Sequence, residues 1–474
     1  MWLKALTRER RRPARLREWP HAWWLAVATV CFGAFMGQLD ASIVTLTYRP
    51  LRVEFGASLA GVQWVSLSYL LALVALLIPV GRMADAYGRK LLYLYGFVVF
   101  TVASAACGLA PSLGALISFR VAQGLGAALL QANSVALVAT TVPGARMRSA
   151  LGVQAAAQAI GLALGPTLGG LLVSTLGWRW VFGINVPVGV MAVVAGVYLL
   201  PRTRTRTATA GRDRSGLVLL AIATTAGLLG VSAASGLSLP SWAPLVLLAL
   251  AAACVAGFVL RERLAAAPLL DLNLLRSRAV SAGLLGALCG YLVLFGPLVL
   301  IPVTLTAAGL SELHAGLVLT ALPAGFAIAA TTSGRLLPQH WTDRARCTLG
   351  AVLGLIALCA LVIAPLTGTT LTPLLGALGI ALGIFTPANN TVVMRSIPAC
   401  TAGTGGGLLN MTRSLGTALG VALITLALHL SPAGARLLGA DQAGPRTALL
   451  ILTAGAAVML VSARFIPTTA CPAD

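Results

Sequence analysis

Charged residues are scarce in this chain. Only 9% of its 474 residues carry charge, where a soluble domain has about 25%. Acids are rarer still, twelve against 33 lysines and arginines. The eight cysteines (31, 107, 254, 289, 347, 359, 400 and 471) never form a CxxC pair and mostly sit in apolar stretches, which argues against a disulfide framework or a zinc site. The four histidines (21, 314, 340 and 429) lie far apart, so no clustered ligand set for a metal enzyme is visible. Long polar stretches are missing too, and with them the room for a soluble catalytic domain.

What the chain does have is hydrocarbon, with 58% of its residues hydrophobic. A bilayer core takes about 20 apolar residues per helix. Fourteen runs approach or exceed that length: 23–47, 62–80, 91–110, 112–142, 150–174, 181–200, 215–235, 241–260, 279–303, 313–337, 347–366, 370–393, 402–429 and 446–465. The fold class read from them is all-α integral membrane. Runs 112–142 and 402–429 are longer than the bilayer requires and predict tilt or protrusion. The net charge of +21 is cut into short pieces between the runs, which encodes membrane orientation rather than nucleic-acid binding. With the N-terminus inside, 26 of the 33 basic residues fall on the cytoplasmic side, 5 fall outside, and 2, Arg120 and Arg413, lie within spans. An even number of spans returns the C-terminus to the inside. The basic start followed by apolar residues 23–36 also fits a secretory leader; the run continues to Leu46, longer than a leader core, and is read as a retained first span.

The most polar interior stretch, PRTRTRTATAGRDR (201–214), follows six spans, and RERLAAAPLLDLNLLRSR (261–278) follows two more. The expected organisation is a basic tail (1–20), a six-helix bundle (21–200), linkers flanking two extra helices (201–278), a second six-helix bundle (279–466) and a short tail (467–474). Internal repetition supports it. QAIGLALG (158–165) in span 5 matches RSLGTALG (413–420) in span 13, pairing Gly161 with Gly416 and Gly165 with Gly420; GRM at Gly81 matches GRL at Gly334. Duplicated halves are a common way to build a transporter.

Of the twelve acids, Asp40 in GQLDAS is the one placed well inside a span. An acid in hydrocarbon is costly unless it is paired or faces water, so Asp40 is a functional candidate. It lies about seven residues from the outer end of span 1, and Arg120 about eight from the outer end of span 4, depths that agree within a few ångströms at 1.5 Å per residue. The two are expected to approach each other. The other reading of Arg120, snorkelling to the outer surface, remains open over that distance. Arg413, near the middle of span 13, is too deep for it. Amides inside spans either knit helices together or touch a substrate. Gln38, Gln123, Asn133, Gln158 and Asn389, with Tyr291 and Arg413, are the candidates for lining a substrate cavity.

Three motifs carry more. GRMADAYGRK (81–90) follows span 2: Gly81 and Gly88 permit close approach and a tight turn, Asp85 can accept from helix N-terminal N–H groups, and Arg82, Arg89 and Lys90 can pair with it or with lipid headgroups. A plain positive-inside loop is the competing reading. RVAQGLGAA (120–128) lies in span 4. GLALGPTLGG (161–170) in span 5 repeats glycine every four residues along one face, at Gly161, Gly165 and Gly169, beside Pro166 and Gly170; small-residue helix packing explains the composition equally well.

These strings resemble the motifs of the major facilitator superfamily, in its fourteen-span drug:proton antiporter branch. WRWVFGINVPVGV (178–190) and PLLDLNLLRSR resemble further segments of that branch. The resemblance implies two six-helix bundles plus two extra helices, and a conformational latch carried by Gly81, Asp85, Gly88 and Arg89. It implies a role in proton transfer for Arg120, supported by Gln123 and Gly124, and an outer seal between the halves, favouring export, at the span-5 motif. The second-half counterpart GRLLPQHWTDRAR has Pro338 where the latch acid belongs, leaving only Asp343 nearby. Span 1 continues as LDASIVTLTYRP, where Thr45 replaces the branch's asparagine and Arg49 precedes Pro50.

The function expected is a proton-coupled antiporter exporting drugs or other small hydrophobic or amphiphilic compounds by alternating access, with Asp40 as proton carrier. Its expected partners are protons, a small molecule and the lipid bilayer, with no nucleic acid, and it is expected to work as a monomer. No cofactor is called for, the proton gradient being the energy source. The expected location is a bacterial inner membrane with both termini cytoplasmic; arginine outnumbers lysine 31 to 2, a GC-rich bias. One alternative is a dedicated exporter of a single metabolite or self-made antibiotic. Another, from a different class, is a membrane enzyme or receptor without transport.

Overall fold

A computed structural model describes residues 9, 12–13, 19–57, 59–203, 214–234, 240, 242–265, 272–307, 312–438 and 443–467. Every regular element among them is a helix. Thirteen of these helices are long and apolar enough to cross a bilayer. The remaining expected run, 215–235, forms a helix over Arg214–Ala234, within which Ser215–Gly230 is a shorter apolar stretch.

Helix α1 (Trp23–Ile43) carries Asp40 and stops before the expected limit of its run. A 3-10 turn (Val44–Thr47) leads into α2 (Tyr48–Phe55), which Pro50 can join because it falls in the first turn, where its missing N–H is not needed. Helices α3 (Leu59–Tyr87) and α4 (Arg89–Gly108) are separated by Gly88 alone, at φ 118°. The stretch 81–90 is therefore not the loop expected from sequence. Its first seven residues continue α3, and Gly88 makes the turn in a conformation that side chains rarely adopt.

Helices α5 (Leu113–Thr141) and α6 (Met147–Thr175) follow. The sixth span comprises α7 (Arg179–Gly183) and α8 (Asn185–Leu199), joined by Ile184, whose backbone stays helical at φ −61° and ψ −27°. Pro187 has no N–H to offer the Gly183 carbonyl, which weakens the helix at this point. Beyond it come α9 (Arg214–Ala234), α10 (Ala243–Leu264) and the short α11 (Leu272–Arg276). Leu245, Val246 and Leu260 of α10 are exposed, as suits a lipid-facing helix. The last six spans are α12 (Arg278–Ala307), α13 (Glu312–Leu336), α14 (Asp343–Ile363), α15 (Gly368–Arg395), α16 (Ala402–Leu438) and α17 (Ala443–Arg464).

The chain divides into two compact units. One comprises Met1–Thr225, Ala253–Leu272 and Ile397–Met411; the other comprises Ala226–Ala252, Asn273–Ser396 and Thr412–Asp474. The same packing recurs in both. In the first, Gly161 of α6 lies against α1, where a Cβ would stand 2.6 Å from the Phe35 carbonyl oxygen. In the second, Gly420 of α16 lies against α12, where a Cβ would stand 2.7 Å from the Leu292 carbonyl oxygen. Their repeat partners do the same, Gly416 meeting the Leu288 carbonyl of α12 and Gly165 meeting Ser42 of α1, so the glycines of both repeats join the fifth span of each half to its first. The connections before those spans also match, each a 3-10 turn entered from a proline: Gly144–Arg146 after Pro143, and Ala399–Thr401 after Pro398.

Candidate functional site

Asp40 sits near the end of α1 with no exposed surface. A carboxylate so placed needs donors, because desolvating a charge costs several kcal/mol in a protein interior (roughly, after relaxation). It has three. Arg120 Nη1 of α5 donates to Oδ2 at 2.6 Å, Gln123 Nε2 of α5 donates to Oδ1 at 2.9 Å, and Asn185 Nδ2 of α8 donates to Oδ1 at 3.1 Å. The spacing of Arg120 and Gln123, three residues apart on one helix, puts both on the face that meets α1.

Arg120 does not depend on Asp40 alone. Its Nε donates to the Val65 carbonyl at 2.9 Å, its Nη1 to Gln123 Oε1 at 2.6 Å, and its guanidinium lies 4.2 Å from the centroid of the Tyr69 ring. Phe182 supplies a second ring at 5.7 Å. Gln123 links the parts: its amide nitrogen also donates to Ser104 Oγ at 2.8 Å, and its oxygen accepts from the Cys107 thiol at 3.7 Å. Close by, Leu39, Ile43, Val62, Val65, Leu116 and Phe182 belong to one buried apolar cluster. Arg120 is buried and points inward, so the snorkelling reading does not describe its position.

Beside that cluster, Glu54 of α2 accepts from Trp178 Nε1 at 2.5 Å and from Arg179 Nη1 at 2.7 Å. Arg179 also lies 4.5 Å from the centroid of the Trp178 ring. These two donors hold the Glu54 carboxyl below the usual carboxylate range.

At the end of α3, buried Asp85 acts as an N-cap for another helix. Gly403 N donates to Oδ1 at 2.7 Å, while Thr404 N at 2.7 Å and Thr404 Oγ1 at 2.8 Å donate to Oδ2. The first N–H groups of α16 are thereby satisfied by a charge of the sign that a helix N-terminus favours. Arg89 closes the cluster, donating from Nη2 to Asp85 Oδ1 at 2.6 Å and to the Ala399 carbonyl at 2.6 Å. Gly81 and Gly403 pack backbone to backbone; a Cβ on Gly81 would collide with the Gly403 carbonyl. Lys90 takes a different place from the one expected. Its Nζ donates to the carbonyls of Val197, at 2.9 Å, and Leu200, at 2.6 Å, around the C-terminus of α8.

The remaining candidates divide. Gly161, Gly165 and Gly169 all meet α1 or the turn after it, with Phe35, Ser42 and Ile43 among their neighbours, so these three glycines bind the fifth span to the first. Gly170 is exposed and has nothing within reach of a Cβ; the Pro166 side chain lies outside the described residues. Gln123 lies inside the Asp40 cluster, fully buried. Asn133 donates to its own helix at Leu129 O, 2.8 Å, and Asn389 donates to Gly283 O, 2.8 Å, while the Oδ1 atom of each is buried without a hydrogen-bond partner. Gln38 is partly exposed and Gln158 is buried. Tyr291 and Arg413 come together, with the guanidinium 4.4 Å from the ring centroid. Asp343 pairs with Arg395 at 3.2 Å. Several contributors were not identified from sequence as members of the site: Asn185, Ser104, Cys107, Tyr69, Phe182 and the carbonyl of Val65. Asn185 carried a signal, as a lone amide in the apolar run 181–200, two residues before a proline.

The Major Facilitator Superfamily model matches residues 30–421. The chain belongs to that superfamily and is a multi-pass membrane transporter. It is 33% identical over 404 residues to the tetracenomycin C resistance and export protein of Streptomyces glaucescens, covering 85% of this chain and 75% of that protein. It is 30% identical over 410 residues to the riboflavin transporter RibZ of Clostridioides difficile (strain 630), covering 85% and 87% respectively. Among solved structures, the human organic anion transporter MFSD10 (TETRAN) superposes with a TM-score of 0.68 at 17% identity, covering 94% of this chain and 99% of that one, a likeness of fold.

Proposed function

We propose that this transporter is a proton-coupled antiporter that exports drugs or other small hydrophobic or amphiphilic compounds across a bacterial inner membrane. The observation that carries the reading is the buried Asp40 with its three donors. A carboxylate there can hold one proton, and Arg120 keeps its own proton at all working pH values. When Asp40 is protonated, Arg120 still has the Val65 carbonyl, the Gln123 oxygen and the Tyr69 ring, so the cation is not orphaned. Uptake and release of one proton are therefore compatible with one fold. Competition between proton and substrate for a shared state then gives exchange, with the two sides of the membrane reached alternately.

The Asp85–Arg89 cluster on the α16 N-terminus serves as the conformational latch in this reading, since it can form only while α3 and α16 are in contact. The placement of basic residues supports cytoplasmic termini. Arg413 on Tyr291 supports neutral, zwitterionic or anionic amphiphiles as substrates. Export of a single metabolite is the second reading, favoured by the likeness to the tetracenomycin C resistance and export protein. A susceptibility profile of a hypersensitive bacterial host expressing this chain separates the two. Resistance to several unrelated compounds, abolished by Asp40→Asn, supports broad export; resistance to one compound supports the dedicated exporter; no change for any compound contradicts both.

A further inference from the structure

Asn185 is the one donor to Asp40 from the sixth span. It is buried, and stands at the first residue of α8, directly after Ile184. The remaining donors to the carboxylate, Arg120 and Gln123, come from a single helix, α5, and also hold each other. Asn185 instead ties α8 to α1, at 3.1 Å the longest of the three bonds. A neutral amide donating to a carboxylate makes a charge-assisted bond, stronger than the bond it makes to the protonated acid. The bond therefore depends on the charge of Asp40.

Resting on the antiport reading, we propose that Asn185 is a positioning residue of the proton site. It stabilises the carboxylate of Asp40, contributes to the pH at which the proton is taken up, and links α8 to α1 more strongly while Asp40 is charged than when it is protonated. In the step itself the Asp40 carboxylate binds one proton to form the acid, and the Asn185 bond weakens as the charge disappears; Arg120 and Asn185 keep their protons. The titratable and charged groups facing Asp40 are few. Arg120 comes from α5, Tyr69 from α3 and Cys107 from α4, with Tyr48 of α2 facing Arg120. Helix α6 presents Gly161 and Gly165 to this part of α1. Among the described residues, Arg179 is the charged residue of the sixth span, and it pairs with Glu54.

The test is a pH titration of the purified full-length protein by infrared difference spectroscopy. It follows the carboxylic C=O band of Asp40, assigned by its loss in Asp40→Asn. In Asn185→Leu, which keeps the shape of the side chain and removes the donor, the midpoint of that band moves to higher pH by about one unit. Asn185→Ala provides the same comparison if the leucine variant does not fold. Asn185→Ser, which retains a hydroxyl donor, gives an intermediate midpoint. A midpoint unchanged in the folded donor-less variants overturns the proposal, and so does the absence of any Asp40-dependent band. If the midpoint shifts as expected while Asp40→Asn retains full proton-driven transport, the antiport reading fails and the assignment of Asn185 stands.

Discussion

Arg120 and Asp40, eighty residues apart in sequence, are joined at 2.6 Å with the guanidinium seated on the face of Tyr69. Because Arg120 has partners besides Asp40 and the acid depends more heavily on its cation, the two removals are unequal. Arg120→Leu leaves the carboxylate with only the neutral donors Gln123 and Asn185 and is expected to lower stability by about 3 kcal/mol, the lower end of the cost of removing one member of a buried ion pair. Asp40→Asn keeps an acceptor for Arg120 and is expected to cost clearly less. Thermal unfolding of the purified variants checks the order; equal losses would count against it.

The Asp85 cap makes a local prediction. Asp85→Ala removes the acceptor of the Gly403 and Thr404 N–H groups, and the loss of such a cap costs about 1 kcal/mol or more. Faster hydrogen exchange at the start of α16, with little change in the interior of α12, is the expected outcome. Unaltered exchange at residues 403–404 would show that the cap contributes nothing in the membrane.

The span-5 glycines are not equivalent. A methyl group on Gly161 would press on the backbone of α1, whereas one on Gly170 would meet nothing. Gly161→Ala is expected to destabilise by about 1–3 kcal/mol through overpacking. Gly170→Ala is expected to be neutral or to stabilise by up to about 1 kcal/mol, because glycine is the poorer helix former. Thermal unfolding of the two variants in parallel distinguishes this from a motif whose glycines all act alike.

The Glu54 carboxyl, held low by Trp178 and Arg179, gives a pH dependence of defined sign. A group whose pKa is lower in the folded state stabilises that state above its unfolded value. The contribution is lost as pH falls through the lowered folded value. The link from α2 to α7 is therefore expected to weaken only in acid. Indole fluorescence titrated against pH should show an acid transition in the wild type that is missing in Glu54→Gln; the same transition in both proteins would assign it elsewhere.

Much of the fold was legible because hydrocarbon leaves so few options: a run of about 20 apolar residues in a bilayer has to be helical. The shared depth of Asp40 and Arg120 could be read from counting along two helices. The joint at Ile184 was harder to see, since one proline in a long apolar run does not reveal whether the span bends or breaks. Nor could counting show that Gly81 lies within a helix and only Gly88 turns the chain, because both glycines suit a turn. Asn185 was hidden by the same limit: its depth was readable, but the face it presents depends on how α8 follows α7. Lys90 was read as a partner of Asp85 or of lipid headgroups because nothing local marks the α8 carbonyls as its acceptors.

The most direct test of proton coupling uses inverted membrane vesicles and the compound to which expression confers the greatest resistance. Energised uptake is measured for wild type and for Asp40→Asn, with membrane insertion confirmed for both. The account predicts that uptake driven by an imposed pH gradient is abolished in Asp40→Asn. Uptake at the full wild-type rate in that variant would contradict it.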